Sequence, residues 1–128
     1  MQDWWEEVWN SHNEDRIRDW VAHDCRIYGL SPEPMIGPEP FLEFHRTMHR
    51  AMPNIHVEAL YHVVEDDKAC SILVCHGKHT GELMGYAPTG KPVVFNAIVF
   101  ARWRDGKIVE GRNMVDLADA LAKSQSSL

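Results

Sequence analysis

The chain has 128 residues, of which 45% are hydrophobic and 25% are charged. This length predicts a single domain over residues 1–128, because half of it would be too short to bury a core of its own. A formal net charge of −6 provides no basic surface for a phosphate backbone, so we expect no nucleic-acid partner. The sequence contains no run of about 18 apolar residues and opens acidic and aromatic, so we expect a cytoplasmic protein without membrane contact.

The N-terminal third has the apolar spacing of helices. Two short helices are predicted on either side of Asn10-Ser11, from the apolar residues Trp5, Val8 and Trp9 and then Ile17, Trp20 and Val21. Ser11 and Glu14 form the pattern of a capping box for the second helix. After a short possible strand over residues 25–28 and a proline-rich loop, a third helix is predicted to begin at Gly37-Pro38 and to end at Pro53.

From His56 onward the pattern is typical of antiparallel strands. Strands are predicted over residues 56–65, 69–79, 92–104 and 107–115, followed by a terminal helix that carries Leu117 and Leu121. Asp105-Gly106 is a strong signal for a two-residue hairpin turn. If Arg104 pairs with Lys107, Glu110 lies opposite Ala101 and on the other face from Asn96. Both faces of segment 92–104 are rich in apolar residues, which favours helices on one face and a partner subunit or lipophilic ligand on the other.

The cysteines and histidines have no diagnostic spacing for a metal. Cys25, Cys70 and Cys75 lack a CxxC pattern and are interpreted as small buried hydrophobic residues. His45 and His49 lie four residues apart on a predicted helix, but without a third ligand they are expected to be solvated. No glycine-rich phosphate loop is present either. We therefore expect neither a metal nor an organic cofactor.

Several glycine-rich motifs carry a family resemblance. The segment GKHTG at residues 77–81, Gly85, the PTG at 88–90 and the DGKIVE at 105–110 resemble the SnoaL-like polyketide cyclases of the nuclear transport factor 2-like superfamily. The resemblance implies an α+β, cone-shaped fold with N-terminal helices packed on a curved antiparallel sheet and a short C-terminal helix. It also implies a homodimer in which each subunit has a deep apolar pocket. Characterised cyclases close a polyketide ring by aldol condensation without a metal or cofactor.

The superfamily also contains isomerases, hydrolases, dehydratases and non-catalytic binding proteins, so a shared fold does not decide the chemistry. Two hypotheses follow. The first is a cofactor-independent enzyme that performs acid/base chemistry, an aldol-type cyclisation or an isomerisation, on a lipophilic carbonyl compound. The second is a module of the same fold that binds a small molecule or dimerises without catalysis.

The first hypothesis needs a group that takes up and returns a proton. The resemblance makes Asp116 the first candidate, with a helix N-cap as its alternative role, while Glu110 is the second, with a surface pair to Arg112 as its alternative. His79 is a third candidate that is equally interpreted as a loop anchor. The residues expected to bind substrate are Asn96, Arg112, Trp9, Met84 and Tyr86, although Met84 and Tyr86 also fit ordinary loop packing.

Overall fold

The computed structural model describes residues 4–126, which form a mixed α+β structure. The elements in chain order are α1 (Trp5–Asn10), α2 (Asp15–Trp20), β1 (Val21–Tyr28), β2 (Met35–Ile36), α3 (Pro38–Ala51), β3 (His56–Glu65), β4 (Lys68–Lys78), β5 (Pro92–Arg104), β6 (Lys107–Val115) and α4 (Leu117–Ser126). The predicted fold class is confirmed. None of the helices in residues 4–126 is long and apolar enough to cross a membrane.

The strands form one curved sheet in the order β2-β1-β6-β5-β4-β3. The four long strands β3 to β6 pair antiparallel with their neighbours, as the sequence pattern predicts. The pair β1 and β6 is parallel, so the expectation of a wholly antiparallel sheet is wrong at this position. A parallel pair needs a long crossover connection, and here residues 29–106 lie between the two strands.

A β-bulge changes the register of the last hairpin. The Asp105-Gly106 turn has the predicted positive φ angles, 52° and 78°, and Trp103 lies opposite Ile108 as expected. The register then shifts, and Arg102 faces Glu110. The expected pairing of Glu110 with Ala101 is therefore wrong. One extra residue moves every following side chain to the opposite face.

The two faces of the sheet differ in burial. On β5, alternate residues are buried against the helices, namely Val93, Phe95, Ala97, Val99 and Ala101. The residues between them point away from the helices, and Val94 and Ile98 are 60% and 44% exposed. The helices thus cover one face of the sheet and leave an apolar outer face uncovered.

The N-terminal helix is held in place by an asparagine. Helix α1 is a π-helix in which the Ser11 N–H donates to the Glu6 carbonyl at 2.8 Å. Ser11 therefore ends α1, while α2 begins at Asp15 without a side-chain cap, so the expected capping box does not form. Asn10 instead accepts from the backbone N–H of Val57 at 2.7 Å and donates to the Val57 carbonyl at 3.0 Å. This pair of hydrogen bonds docks α1 on β3.

Helix α3 begins and ends close to the predicted prolines. Pro38 occupies its first turn directly after Gly37, whose φ angle is +79°, and the helix ends at Ala51, two residues before Pro53. A Cβ atom on Gly37 would lie 2.8 Å from the carbonyl oxygen of His23. Glycine is thus required both by the backbone angle and by the close approach of β1.

Candidate functional site

An apolar cavity lies between the helix-covered face of the sheet and the helices. Its helical wall is aromatic and consists mainly of Trp4, Trp5, Trp9, Phe41 and Phe44, while the floor includes Phe95, Ala97, Val99 and Ala101 of β5. The cavity has a volume of about 100 Å³ for the centres of water-sized spheres. Since a single water needs roughly 10–15 Å³ by that measure, the space accommodates a group much larger than one water.

Asn113 is the main polar side chain in this wall. It lies on β6 opposite Val99 of β5, and its Nδ2 donates to the carbonyl oxygen of Tyr28 at 3.0 Å. Among residues 4–126, no Asp, Glu, His, Lys or Arg lines the cavity. The sequence analysis missed Asn113. The available signal was an amide between Gly111 and Val115 at the alternate positions of a strand, but only the bulge shows on which face the residue lies.

Two further polar groups border the cavity. The Trp5 indole N–H is buried and has no hydrogen-bond partner among the described residues. Burial raises the pKa of the Cys75 thiol to about 12, and the negative charge of Asp116 adds to this effect. Cys75 is therefore a neutral thiol at physiological pH and not a nucleophilic thiolate.

Trp9, one of the expected substrate-binding residues, does lie in the cavity wall. Its ring meets Phe41 and Phe44 edge to face, each at 6.1 Å between centroids. On another side it stacks on the His49 imidazole at 5.5 Å. Trp9 therefore links the cavity to a group of histidines behind it.

These histidines are less exposed than the sequence suggested. His45 is 2% exposed and its Nε2 donates to the Val8 carbonyl at 2.6 Å, so the expectation of a solvated side chain is wrong. His49 is half-buried, and its ring lies 4.1 Å from that of His45 and 3.9 Å from that of His12. Their helix face turns inward because it packs against α1. Within residues 4–126 no group of three or more His, Cys, Asp or Glu could hold a metal ion.

Protonation of His45 and of His12 is disfavoured. Burial lowers the pKa of His45, and the positive charge of a protonated His49 lowers it further, while the hydrogen bond to the Val8 carbonyl acts in the opposite direction. Burial followed by repulsion from His49 likewise lowers the pKa of His12. The surroundings of His45 and of His12 therefore favour the neutral form of each imidazole.

Asp116 lies outside the cavity lining. Its carboxylate accepts hydrogen bonds from the Asn96 backbone N–H at 2.5 Å and from the Asn96 side-chain amide at 3.0 Å. Both residues are exposed. Asn96, expected to bind substrate, is on the outer face of β5 and serves instead as a partner of Asp116.

Glu110 also points away from the cavity. It accepts hydrogen bonds from Arg112 at 2.6 Å and Arg102 at 3.1 Å, and these two guanidinium groups lower the pKa of its carboxyl. The surface pair with Arg112, the alternative interpretation from the sequence, is thus present. Arg112 in turn lies over the Tyr28 ring at 4.3 Å and does not line the cavity.

The remaining predicted residues belong to the loop after β4. His79 is fully buried, with neither ring nitrogen hydrogen-bonded within the described part of the chain. Its backbone N–H donates to Lys91 and its carbonyl accepts from Gly90, as expected of a loop anchor. Met84 is 59% exposed and Tyr86 is half-buried, and neither is part of the cavity lining.

The fold is that of a small α+β protein in which helices pack on one face of a curved six-stranded sheet. The model of the SnoaL-like polyketide cyclase family matches residues 1–123, and the chain belongs to this family. Among curated proteins, none matches the chain significantly in sequence.

Several solved structures share the fold. IdmH of Streptomyces antibioticus, a candidate polyketide cyclase, is 26% identical with a TM-score of 0.81, and the match covers 95% of this chain and 93% of IdmH. A candidate SnoaL-like polyketide cyclase from a Jannaschia species is 20% identical with a TM-score of 0.88, over 99% and 90% of the two chains. AclR of Streptomyces galilaeus, a candidate hydroxylase, is 23% identical with a TM-score of 0.81, over 94% and 79%. Proteins described with different chemistries therefore share this fold.

Proposed function

We propose that this protein binds a lipophilic carbonyl compound in the apolar cavity. The supporting observation is the aromatic wall of tryptophan and phenylalanine side chains, which contains no charged residue among those described. An apolar ligand gains free energy in such a site roughly in proportion to the apolar surface it removes from water. Flat aromatic rings can in addition stack on the indoles.

The indole N–H of Trp5 favours a ligand with an acceptor group. A buried donor without a partner costs about 1–3 kcal/mol, and the ring of Trp5 borders the cavity. A carbonyl oxygen on the ligand would satisfy this donor. The same interaction would orient the ligand relative to the helical wall.

The geometry favours binding over proton transfer. A general acid or base must lie within hydrogen-bond reach of the reacting atom or one water away from it. The cavity wall offers an amide, a neutral thiol and indoles, and none of these exchanges protons near neutral pH. The carboxylates of Asp116 and Glu110 are hydrogen-bonded to Asn96 and to two arginines. Non-catalytic binding is therefore the better-supported hypothesis.

Acid/base catalysis remains the second candidate, because the family model that the chain matches is one of polyketide cyclases. Its test is turnover of any compound that the protein converts, measured for Asp116→Asn, Glu110→Gln and His79→Gln. Loss of a general acid or base would lower turnover about 10²–10⁴-fold. A loss of this size in one of the three variants would support catalysis, while retained turnover in all three would exclude these residues.

Ligand binding is tested with 2-acetonaphthone, a flat aromatic ketone, by quenching of tryptophan fluorescence and by calorimetry. We expect saturable binding to the wild-type protein. Ala97→Leu, in the cavity floor, should weaken binding because the larger side chain fills the space. Ile98→Leu, at the next position but on the outer face, is the matched control and should leave binding unchanged. Thermal unfolding of each variant checks that the fold persists. Equal affinities of all three proteins would contradict the proposed site.

We also propose that the protein forms a homodimer through the outer face of the sheet. This face carries the apolar side chains of Tyr61, Val63, Ile72, Val94, Ile98 and Met114, which are 39–73% exposed, and Asn96, Arg102 and Glu110 lie on the same face. Large exposed apolar patches are characteristic of interaction sites. A second copy would bury the same patch on both chains.

The cytoplasmic location expected from the sequence stays a prediction, to be checked by cell fractionation.

A further inference from the structure

Among the described residues, several side chains of the cavity wall carry a hydrogen-bond donor, but only one carries a strong acceptor. The wall's described side chains with a nitrogen, oxygen or sulfur atom are those of Trp4, Trp5, Trp9, Met48, Cys75 and Asn113. Indole N–H groups only donate, a thioether is a weak acceptor, and a thiol is weak both as donor and as acceptor. The side-chain oxygen of Asn113 is therefore the one strong acceptor that these side chains offer to a ligand.

The orientation of the Asn113 amide is determined by its neighbours. Its Nδ2 donates to the Tyr28 carbonyl, so Oδ1 occupies the other end of the amide. The backbone of Asn113 is held just as closely, since a Cβ atom on Gly29 would lie 1.9 Å from its carbonyl oxygen. No donor in residues 4–126 is hydrogen-bonded to Oδ1. The acceptor is thus both positioned and unused.

We propose that Asn113 is a specificity-determining residue that selects ligands by accepting a hydrogen bond from a ligand hydroxyl group. This inference rests on the proposed binding function of the cavity. A ligand without a donor would leave Oδ1 cut off from water and unpaired, which costs free energy. The favoured ligand therefore combines an apolar ring system with a hydroxyl group, which pairs with Asn113, and a carbonyl group, which pairs with Trp5.

The experiment compares two probes of nearly the same shape, 2-naphthol and 2-methylnaphthalene, of which only the first can donate a hydrogen bond. Dissociation constants are measured by tryptophan quenching for the wild type and for Asn113→Leu, which has a similar size but no polar group. Because a neutral hydrogen bond contributes about 0.5–1.5 kcal/mol, we expect 2-naphthol to bind Asn113→Leu about 2–10-fold more weakly. The affinity for 2-methylnaphthalene should stay the same or rise.

Val99→Ala is the matched control, because Val99 lies opposite Asn113 and also lines the cavity. It removes apolar contact only, so it should weaken both probes by the same factor. If Asn113→Leu weakens both probes equally, or neither, the selective role of Asn113 is wrong while the binding function stands. If neither probe, nor 2-acetonaphthone, binds the wild type, the proposed function fails and this inference fails with it.

Asn113→Leu also loses the hydrogen bond to Tyr28, so its folding is checked by circular dichroism. If the variant does not fold, the test uses the wild type alone. Its dissociation constant for 2-naphthol is compared with that for 2-methoxynaphthalene, which has an oxygen atom but no hydrogen-bond donor. Tighter binding of 2-naphthol by at least about twofold, the lower end of a hydrogen bond's contribution, supports the proposal. Equal or weaker binding of 2-naphthol overturns it.

Discussion

The carboxylate of Asp116 is paired with Asn96 across the end of the sheet. It accepts one hydrogen bond from the backbone and one from the side chain of Asn96, at 2.5 and 3.0 Å. The Asp116 N–H in turn donates to the Asn96 carbonyl at 3.1 Å. These three hydrogen bonds join the start of α4 to β5, so the aspartate has a structural role that is independent of the cavity.

We therefore expect Asp116→Ala to reduce stability without changing ligand binding. The loss of two hydrogen bonds at an exposed site should lower the free energy of unfolding by about 1–2 kcal/mol. Urea denaturation measures the change, and titration with 2-acetonaphthone measures binding. Ala118→Gly, at an exposed position in the first turn of α4, is a control that costs about 1 kcal/mol by helix propensity alone. A strong loss of affinity in Asp116→Ala would contradict the placement of this carboxylate outside the site.

The histidine cluster should make the protein less stable in mild acid. His12 and His45 have pKa values below the ordinary value of 6.5, so the folded state takes up protons less readily than the unfolded state. The free energy of unfolding should therefore be greatest above pH 6.5 and fall as the pH decreases below that value. Glu14 is the acidic group that raises the pKa of His45, but burial outweighs it.

His12→Asn should reduce this acid sensitivity. The substitution removes one imidazole beside His49, and asparagine tolerates the positive φ angle of 56° at this position. Denaturation midpoints are compared at about pH 7.5 and about pH 5.5, on either side of the range in which histidine titrates. The exposed His23 provides the control His23→Gln, for which we expect the wild-type pH dependence. An unchanged acid sensitivity of His12→Asn would show that the cluster does not cause it.

Glu110 should stabilise the fold by a small amount that is lost at lower pH. Arg112 and Arg102 keep the pKa of its carboxyl below the ordinary value of 4.5, so its contribution is present above pH 4.5 and disappears as the pH falls further. Because the arginines are largely exposed, the effect should be less than about 1 kcal/mol. Denaturation of Glu110→Gln from about pH 6.5 to about pH 3 measures it, and a parallel pH dependence of variant and wild type would refute it.

A charge in the middle of the outer face should prevent dimerisation. Ile98 is paired with Ile72 on one side and with Met114 on the other, so Ile98→Lys places an ammonium group at the centre of the proposed interface. We expect the wild type to sediment as a dimer at micromolar concentration and Ile98→Lys as a monomer. Val64→Lys provides a control. Val64 is 61% exposed, but it is paired with the buried Ala69 of β4 and therefore lies on the opposite face of the sheet. A monomeric wild type would contradict the proposal.

Local patterns were sufficient to predict most of the elements. The strands 56–65, 92–104 and 107–115 have the predicted ends, because turn residues interrupt a regular alternation of apolar and polar side chains. Pro38 and Pro53 limit α3 in the same way, since proline lacks the N–H that a helix interior requires. The positive φ angles of Asp105 and Gly106 follow from the same kind of local preference.

The candidate site, in contrast, depends on contacts between distant parts of the chain. The bulge between the pairs Arg102–Glu110 and Trp103–Ile108 moves Asn113 into the cavity wall and places Glu110 on the outer face with Asn96. Nothing in the local sequence marks an extra residue in a ladder, because a bulge is decided by how two strands twist against each other. The burial of His45 likewise depends on α1 packing against α3. The sequence by itself therefore determined most of the elements and the family, while tertiary packing decided which side chains enter the cavity, because burial is a property of the assembled faces.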